Sequence, residues 1–159
     1  MKLRKFFVGR SLGFLVLVVI FFVYGFFYKF NTTNLKLCYI RNTEDGASSN
    51  LVLNLVGKKV SGYYKLVSSE KDIKEGPITG KVFDADTELS NGIIDLKWKA
   101  SSLGVTNTEE LKLRFSEGVV APGFGPMRKE GNVYVYSDPD KLVFEPNLSF
   151  VDCETEIVN

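Results

Sequence analysis

The chain has 159 residues, of which 20 are basic and 19 acidic. Five of the basic residues lie among the first 30, so the rest carries 15 basic against 19 acidic residues, a net charge of −4. This balance argues against a nucleic-acid partner, which requires a basic surface. The chain has no histidine and only two cysteines, so we expect neither a bound metal nor a cofactor.

An uncharged apolar run comes first in the chain. No charged residue lies between Arg10 and Lys29, and a helix rises about 1.5 Å per residue. The run is therefore long enough to cross the roughly 30 Å hydrocarbon core of a membrane. Residues 1–10 are basic and should stay in the cytoplasm. The sequence predicts a retained single-pass transmembrane anchor over residues 11–30, with everything after it outside the cell membrane.

Two cleaved forms are the alternatives. A secretory signal usually has a shorter apolar core and small residues at the cut, and only Val23–Gly25 resembles such a cut here. A lipoprotein cut before Cys38 would follow Leu35–Leu37, where large and charged side chains stand. We favour the retained anchor over both.

After a linker over residues 31–37, the hydrophobic pattern has a period of two, which indicates strands with one buried face. The clearest cases are Ile93–Ala100 and Glu110–Phe115. Further strands are predicted at Leu35–Arg41, Leu51–Val56, Val60–Val67, Ile78–Asp84, Val119–Phe124, Asn132–Ser137, Leu142–Phe144 and Leu148–Val151. One domain over residues 38–153 is expected, followed by a C-terminal tail over residues 154–159.

Glycines recur early in these strands, as in Val60–Gly62 and Ile78–Gly80. Glycine inside a strand often marks a bend, and bends allow a sheet to close. We therefore predict an all-β fold, a small antiparallel meander β-barrel of lipocalin-like architecture with about eight strands. A β-sandwich is the alternative.

The two cysteines, Cys38 and Cys153, lie near the two ends of this domain. If both lie outside the cytoplasm, they most simply form one disulfide. A closed barrel would also bring its first and last strands together, which favours the bond. Two unrelated buried thiols are the alternative.

The motifs Cys38–Tyr39, Glu70–Asp72 and Gly123–Gly125 resemble those of a family of small, uncharacterised bacterial envelope proteins, many of them lipoproteins. The resemblance extends over residues 38–153 and implies a location and a fold rather than an activity. The chain departs from the family pattern at Leu103 and Pro126, where the pattern has an acidic residue. Any site that used those acids would be altered here.

Candidate ligand or partner residues fall into two groups. Glu70, Lys71 and Asp72 form a charged loop between strands, for which a solvated turn is the alternative. The second group consists of aromatic side chains suited to a barrel mouth, namely Trp98, Tyr134 and Tyr136. Their alternative role is to fill the barrel core.

No catalytic set is evident, so we do not expect an enzyme. Histidine is absent, and the neighbouring acids Glu109 and Glu110 should point to opposite faces of a strand. The predicted role is binding of a small or lipidic ligand, or of a partner protein in the envelope. The alternative is a protein-interaction, inhibitor or assembly module with a filled barrel and no ligand.

Overall fold

The computed structural model describes residues 34–82 and 89–154. The predicted anchor over residues 11–30 and the turn expected around residues 84–86 lie outside these ranges. Within them, no helix is both long and apolar enough to span a membrane.

Most of the described chain is β-strand. The strands are β1 (Asn34–Asn42), β2 (Ser48–Val56), β3 (Lys59–Val67), β4 (Ile73–Lys81), β5 (Ile93–Ser102), β6 (Val105–Ser116), β7 (Val119–Phe124), β8 (Met127–Glu130), β9 (Val133–Tyr136), β10 (Val143–Phe144) and β11 (Leu148–Val151). Helical structure in these ranges is confined to residues 89–91 and a 3-10 turn at Pro139–Lys141.

The sheet closes on itself as a barrel. Strands β1 to β7 pair antiparallel in chain order, and β11 then pairs with both β7 and β1. Eight strands therefore form the closed wall, as the sequence predicts, and the sandwich alternative is wrong. Strands β8, β9 and β10 are additions to this wall.

The topology is not the simple antiparallel meander that was predicted. Strand β9 pairs in parallel with β6, through Thr108 opposite Val133 and Glu109 opposite Tyr134. Strand β8 was not predicted, because three of its four residues are charged and exposed. It forms a hairpin with β9 rather than part of the wall, so it has no buried face to produce an apolar alternation.

Strand β4 starts at Ile73, five residues before its predicted start at Ile78. The inward positions of this early part are Lys74 and Gly76, which provide no apolar period. The polar stretch after residue 68 therefore belongs partly to the barrel wall.

Alternation places the apolar side chains of the strands in the interior. On β5, Ile94, Leu96, Trp98 and Ala100 are buried, whereas the residues between them are exposed. Leu111, Leu113 and Phe115 on β6 are buried in the same core. Tyr39 packs edge-on against Phe115, with ring centroids 6.1 Å apart. The predicted inward face of these strands is confirmed.

Two glycines permit neighbouring strands to approach closely. A Cβ added to Gly62 would lie 1.9 Å from the carbonyl oxygen of Val52 on β2. A Cβ on Gly76 would lie equally close to the carbonyl oxygen of Lys99 on β5. Any side chain at either position would push the two strands apart, so these glycines allow the curvature of the wall.

The predicted disulfide between Cys38 and Cys153 is confirmed. Cys38 lies on β1 opposite Val151 of β11, and Cys153 follows two residues later. The two Cα atoms are 5.3 Å apart. The bond thus joins the first and last strands of the barrel.

The two ends of the barrel differ in their turns. One end carries the connections β1–β2, β3–β4 and β5–β6, and we call it the mouth end. The opposite end carries the β2–β3 and β6–β7 turns and the first residue of β1, because Asn34 pairs with Val56. The chain therefore enters the barrel from the end opposite the mouth.

Candidate ligand site at the mouth of the barrel

A cavity of about 250 Å³ lies in the mouth half of the barrel. Its inner wall is formed by side chains on the interior faces of β3 to β6, namely Tyr64, Leu66, Lys74, Trp98, Glu109 and Leu111. Glu110, residues 123–125, Met127 and Tyr136 contribute the rest. The cavity lies where β6 changes partner, since β6 pairs with β7 at residues 113–116 but with β9 at residues 108–109.

Trp98 forms much of the aromatic wall of this cavity. It pairs across the sheet with Ile78 on β4 and with Glu109 on β6, so its side chain shares the inner face with Glu109. Its indole N–H donates to the carbonyl oxygen of Gly76 over 3.2 Å. The ring also lies 5.0 Å from that of Tyr64. Trp98 is only 4% exposed and belongs to the core, and it also lines the cavity; its role in binding stays a prediction.

An ion pair crosses the cavity wall in front of Trp98. Lys74 Nζ lies 2.6 Å from Glu109 Oε2, and the same Nζ lies 4.9 Å from the centroid of the Trp98 ring. The Glu109 side chain is only 13% exposed, whereas that of Lys74 is 38% exposed. The carboxylate is thus fixed within the wall, and the ammonium reaches it from the rim.

The sequence analysis did not select Lys74 or Glu109, although a signal was present. Glu109 lies two residues before Leu111, so it points to the same inward face of β6 as Leu111, Leu113 and Phe115 and extends that face toward the mouth. An acidic residue on an inward face requires a partner, because burying a lone charge is costly. Lys74 could be found only once β4 was extended back to Ile73.

The Tyr64 hydroxyl is buried without a complete hydrogen bond. The residue is 1% exposed, and its oxygen is the one side-chain polar atom of the described residues that is buried without a partner. The hydroxyl of Ser49 lies beside it and favours its ionised form, but burial has the larger effect and raises the pKa of Tyr64. The oxygen itself is inaccessible, so Tyr64 contributes its ring rather than its hydroxyl to the cavity wall.

Tyr136, a candidate binding residue from the sequence, lines the cavity. Its hydroxyl donates to the carbonyl oxygen of Gly123 over 2.6 Å, and its backbone N–H donates to Glu110 Oε2 over 3.0 Å. Burial raises the pKa of Tyr136 to about 12, and the carboxylates of Glu110 and Glu109 add to this effect. The side chain therefore stays neutral near pH 7 and links β9 to β7.

Glu109 and Glu110 point to opposite faces of β6, as predicted, yet both line the cavity. Glu110 does so from the outer face, near the place where β9 leaves β6. Its Oε1 also lies 3.5 Å from Lys112 Nζ. The two carboxylates therefore approach the same space from different sides of the wall.

The predicted loop Glu70–Asp72 forms the β3–β4 turn at the mouth end. All three residues are exposed, and Lys71 has a positive φ of 66°. Hydrogen bonds between Ser68 and Asp72 hold the turn, including one from the Asp72 N–H to the Ser68 hydroxyl. The turn does not line the cavity, and its role in binding stays a prediction.

The remaining positions selected from the sequence lie elsewhere. Tyr134 is half-buried on β9 outside the cavity lining, with Lys129 Nζ 5.9 Å from its ring centroid. Leu103, at the β5–β6 turn, is 87% exposed at the mouth end. Pro126 lies between β7 and β8, where its carbonyl oxygen accepts the Ser137 N–H.

Two other depressions lie outside the barrel. One, of about 480 Å³, crosses the outer faces of β4, β5 and β9 and is lined in part by Lys81, Lys97 and Val133. The other, of about 470 Å³, lies beside Arg114, whose guanidinium already contacts the ring and carbonyl oxygen of Phe144. Neither is lined by Trp98 or by the Lys74–Glu109 pair, which distinguish the mouth cavity.

The mouth cavity brings several kinds of chemical group together. It offers aromatic faces, one ion pair, a second carboxylate and a neutral hydroxyl. Across residues 34–82 and 89–154, no group of three or more potential metal-binding side chains comes together. The described residues thus give no basis for placing a metal in the cavity.

Comparison of the chain with protein-family models, with curated proteins and with solved structures finds no match. The resemblance to envelope proteins rests on the quoted motifs alone.

Proposed function

We propose that the protein is a membrane-anchored binding module that holds a small group in its mouth cavity. The observation that carries this proposal is the cavity lining, where the face of Trp98 and the Lys74–Glu109 ion pair meet in one space of about 250 Å³. An aromatic face beside a few polar groups is typical of sites that bind small molecules.

The size of the cavity limits the ligand. At about 250 Å³ it is smaller than the roughly 300–1,000 Å³ typical of pockets for drug-sized ligands. Phe115, Tyr39 and the aliphatic side chains of the core pack together in the interior. A small molecule, or a single side chain of an envelope partner, therefore fits better than a lipid.

A second candidate function is a protein-interaction module that uses its rim. Leu103 and Val105 at the β5–β6 turn are 87% and 60% exposed, and Ile73 and Phe124 are also exposed. Large apolar side chains exposed at one end of a domain favour contact with another protein. On this alternative the barrel is a filled scaffold, and its rim is the working surface.

The cavity can be tested by native mass spectrometry of the full-length chain, extracted from its native membrane in non-ionic detergent. We expect an additional mass on the wild-type protein. Replacing Leu66, which lines the cavity, with Phe should remove it by filling the space. The matched control Val56→Phe, on an exposed position of β2, should retain it. Protein that carries no added mass, or an added mass that survives Leu66→Phe, would contradict the cavity proposal.

The proposed location is the cell membrane, with the N-terminus cytoplasmic and the barrel outside. It is supported by the uncharged run over residues 11–28 and by the disulfide, since disulfides persist mainly in oxidising compartments. A lipoprotein cut at Cys38 would also have to use a thiol that is bonded to Cys153.

Retention of the anchor is tested by N-terminal sequencing of protein purified from membranes. We expect the basic residues ahead of Arg10 to be present, because the apolar run is longer than a secretory signal requires. A mature terminus at Phe26 or at Cys38 would contradict the anchor.

A further inference from the structure

The mouth cavity already holds one cation, and that cation belongs to the protein. The ammonium of Lys74 lies between the face of the Trp98 ring, 4.9 Å from its centroid, and the Glu109 carboxylate, 2.6 Å away. An aromatic face combined with a carboxylate is an arrangement that proteins use to bind ammonium and guanidinium groups.

The Glu109 carboxylate is held in place, whereas the Lys74 ammonium can move away from it. Glu109 is held on the inner face of β6 and its side chain is 13% exposed, so it requires a cation beside it. Lys74 lies on β4 near the mouth with a 38% exposed side chain. A lysine with a flexible four-carbon stem can return its ammonium to water when another cation takes its place.

The second carboxylate of the lining is already balanced. Glu110 lines the cavity, and its Oε1 lies 3.5 Å from Lys112 Nζ. Selection of a cation therefore depends on Glu109 and the face of Trp98, the two groups that hold the Lys74 ammonium.

We infer that the mouth cavity selects an ammonium or guanidinium group, and that Lys74 occupies this subsite until the ligand displaces it. In the complex the ligand cation lies over Trp98 and pairs with Glu109. The inference rests on the proposed binding function of the cavity and adds the chemical class of the ligand. Both a free amine and a lysine or arginine side chain of an envelope partner present this chemistry.

Trp98 is the only tryptophan of the chain, so its fluorescence reports directly on the cavity. The full-length protein in non-ionic detergent is titrated with n-butylammonium, propylguanidinium and neutral 1-butanol. The two cations are expected to change the emission with saturation, and 1-butanol at the same concentrations is not. A pentapeptide with one central lysine between glycines distinguishes the sources. Tighter binding of the peptide identifies a partner side chain, and equal or weaker binding identifies a free amine.

Variants test whether Lys74 competes with the ligand. Lys74→Met should raise the affinity for n-butylammonium about tenfold, because the internal ion pair and cation–π contact no longer have to be broken. Adding Glu109→Gln to Lys74→Met should reverse this gain. The matched control is Lys65→Met, which removes a lysine of similar exposure that pairs with Glu75 on the outer face, and it should leave the affinity unchanged. Lys74→Gln replaces Lys74→Met if circular dichroism shows that the latter does not fold.

The outcomes separate this inference from the proposed function. Equal responses to 1-butanol and n-butylammonium would overturn the selection of cations and leave binding in the cavity intact. Unchanged or weaker n-butylammonium binding in Lys74→Met would overturn the role of Lys74 as the displaced occupant. The absence of any response, together with a wild-type protein that carries no added mass in native mass spectrometry, would overturn both.

Discussion

Replacing Phe115 with alanine is expected to lower the free energy of unfolding by about 3–5 kcal/mol. Phe115 is 1% exposed on β6 and packs against Tyr39 across the barrel interior. Its removal would leave a cavity lined by side chains from a closed wall, and such a wall relaxes little toward the gap. Urea denaturation of the full-length protein, followed by circular dichroism, measures the change.

The control for this prediction is Lys97→Ala on β5. Lys97 is exposed on the outer face between the buried residues Leu96 and Trp98, and its loss should cost at most about 0.5 kcal/mol. Lys112 is a poorer control, because it contacts both Asp95 and Glu110 and is largely buried. Similar losses at Phe115 and Lys97 would mean that the inward and outward faces are assigned wrongly.

The sequence predicts the barrel wall well wherever one face of a strand is buried and the other is wet. Over residues 93–100 of β5 and 111–116 of β6 the alternation is uninterrupted, because the inward positions meet the core and the outward positions face water. Alternation fails at the mouth, where the inward residues of β4 are Lys74 and Gly76. The local pattern cannot predict these two residues, because each depends on another strand. Lys74 pairs with Glu109 on β6, and Gly76 leaves room for the carbonyl oxygen of Lys99 on β5.

The candidate site likewise contains residues that the strand pattern indicates and contacts between strands that it does not. Trp98 and Tyr136 are recognisable from the sequence because large aromatic residues on strands usually face an interior. The pairing of Lys74 with Glu109 joins residues on β4 and β6, which meet across Trp98 of β5. Glu110 reaches the cavity because β9 replaces β7 beside β6, and no sequence signal indicates that parallel pairing.

Reduction of the Cys38–Cys153 bond is expected to lower the free energy of unfolding by up to about 5 kcal/mol. The cysteines are 115 residues apart, so the bond greatly restricts the unfolded chain. In the chain-entropy model the benefit grows with the logarithm of loop length, and for this loop it is close to its usual maximum. Native-state effects and residual structure in the unfolded chain reduce the observed value, which makes the figure an upper one.

The position of the bond gives a second reason to expect a large effect. Strand β11 closes the barrel against β1 through only three residue pairs, Cys38–Val151, Tyr39–Phe150 and Ile40–Ser149, whereas β1 and β2 share nine. The junction of β1 with β11, here called the seam, therefore has fewer residue pairs than the junction of β1 with β2. The disulfide lies at this seam. Without the bond, β11 keeps its short pairings with β1 and β7, the burial of Leu148 and the contact of Phe150 with Tyr39.

The measurement compares urea denaturation of the full-length protein with and without a reductant, and the double variant Cys38→Ser/Cys153→Ser is the control. The reductant should destabilise the wild type and leave the double variant unchanged, because the variant has no bond to lose. The unreduced, denatured wild type should contain no free thiol, since neither cysteine is free. Two free thiols in protein from its native membrane, or equal stability with and without reductant, would contradict the bond's role. Because the seam lies between β1 and β11, stability should fall even though the core of β3 to β6 keeps every contact it had.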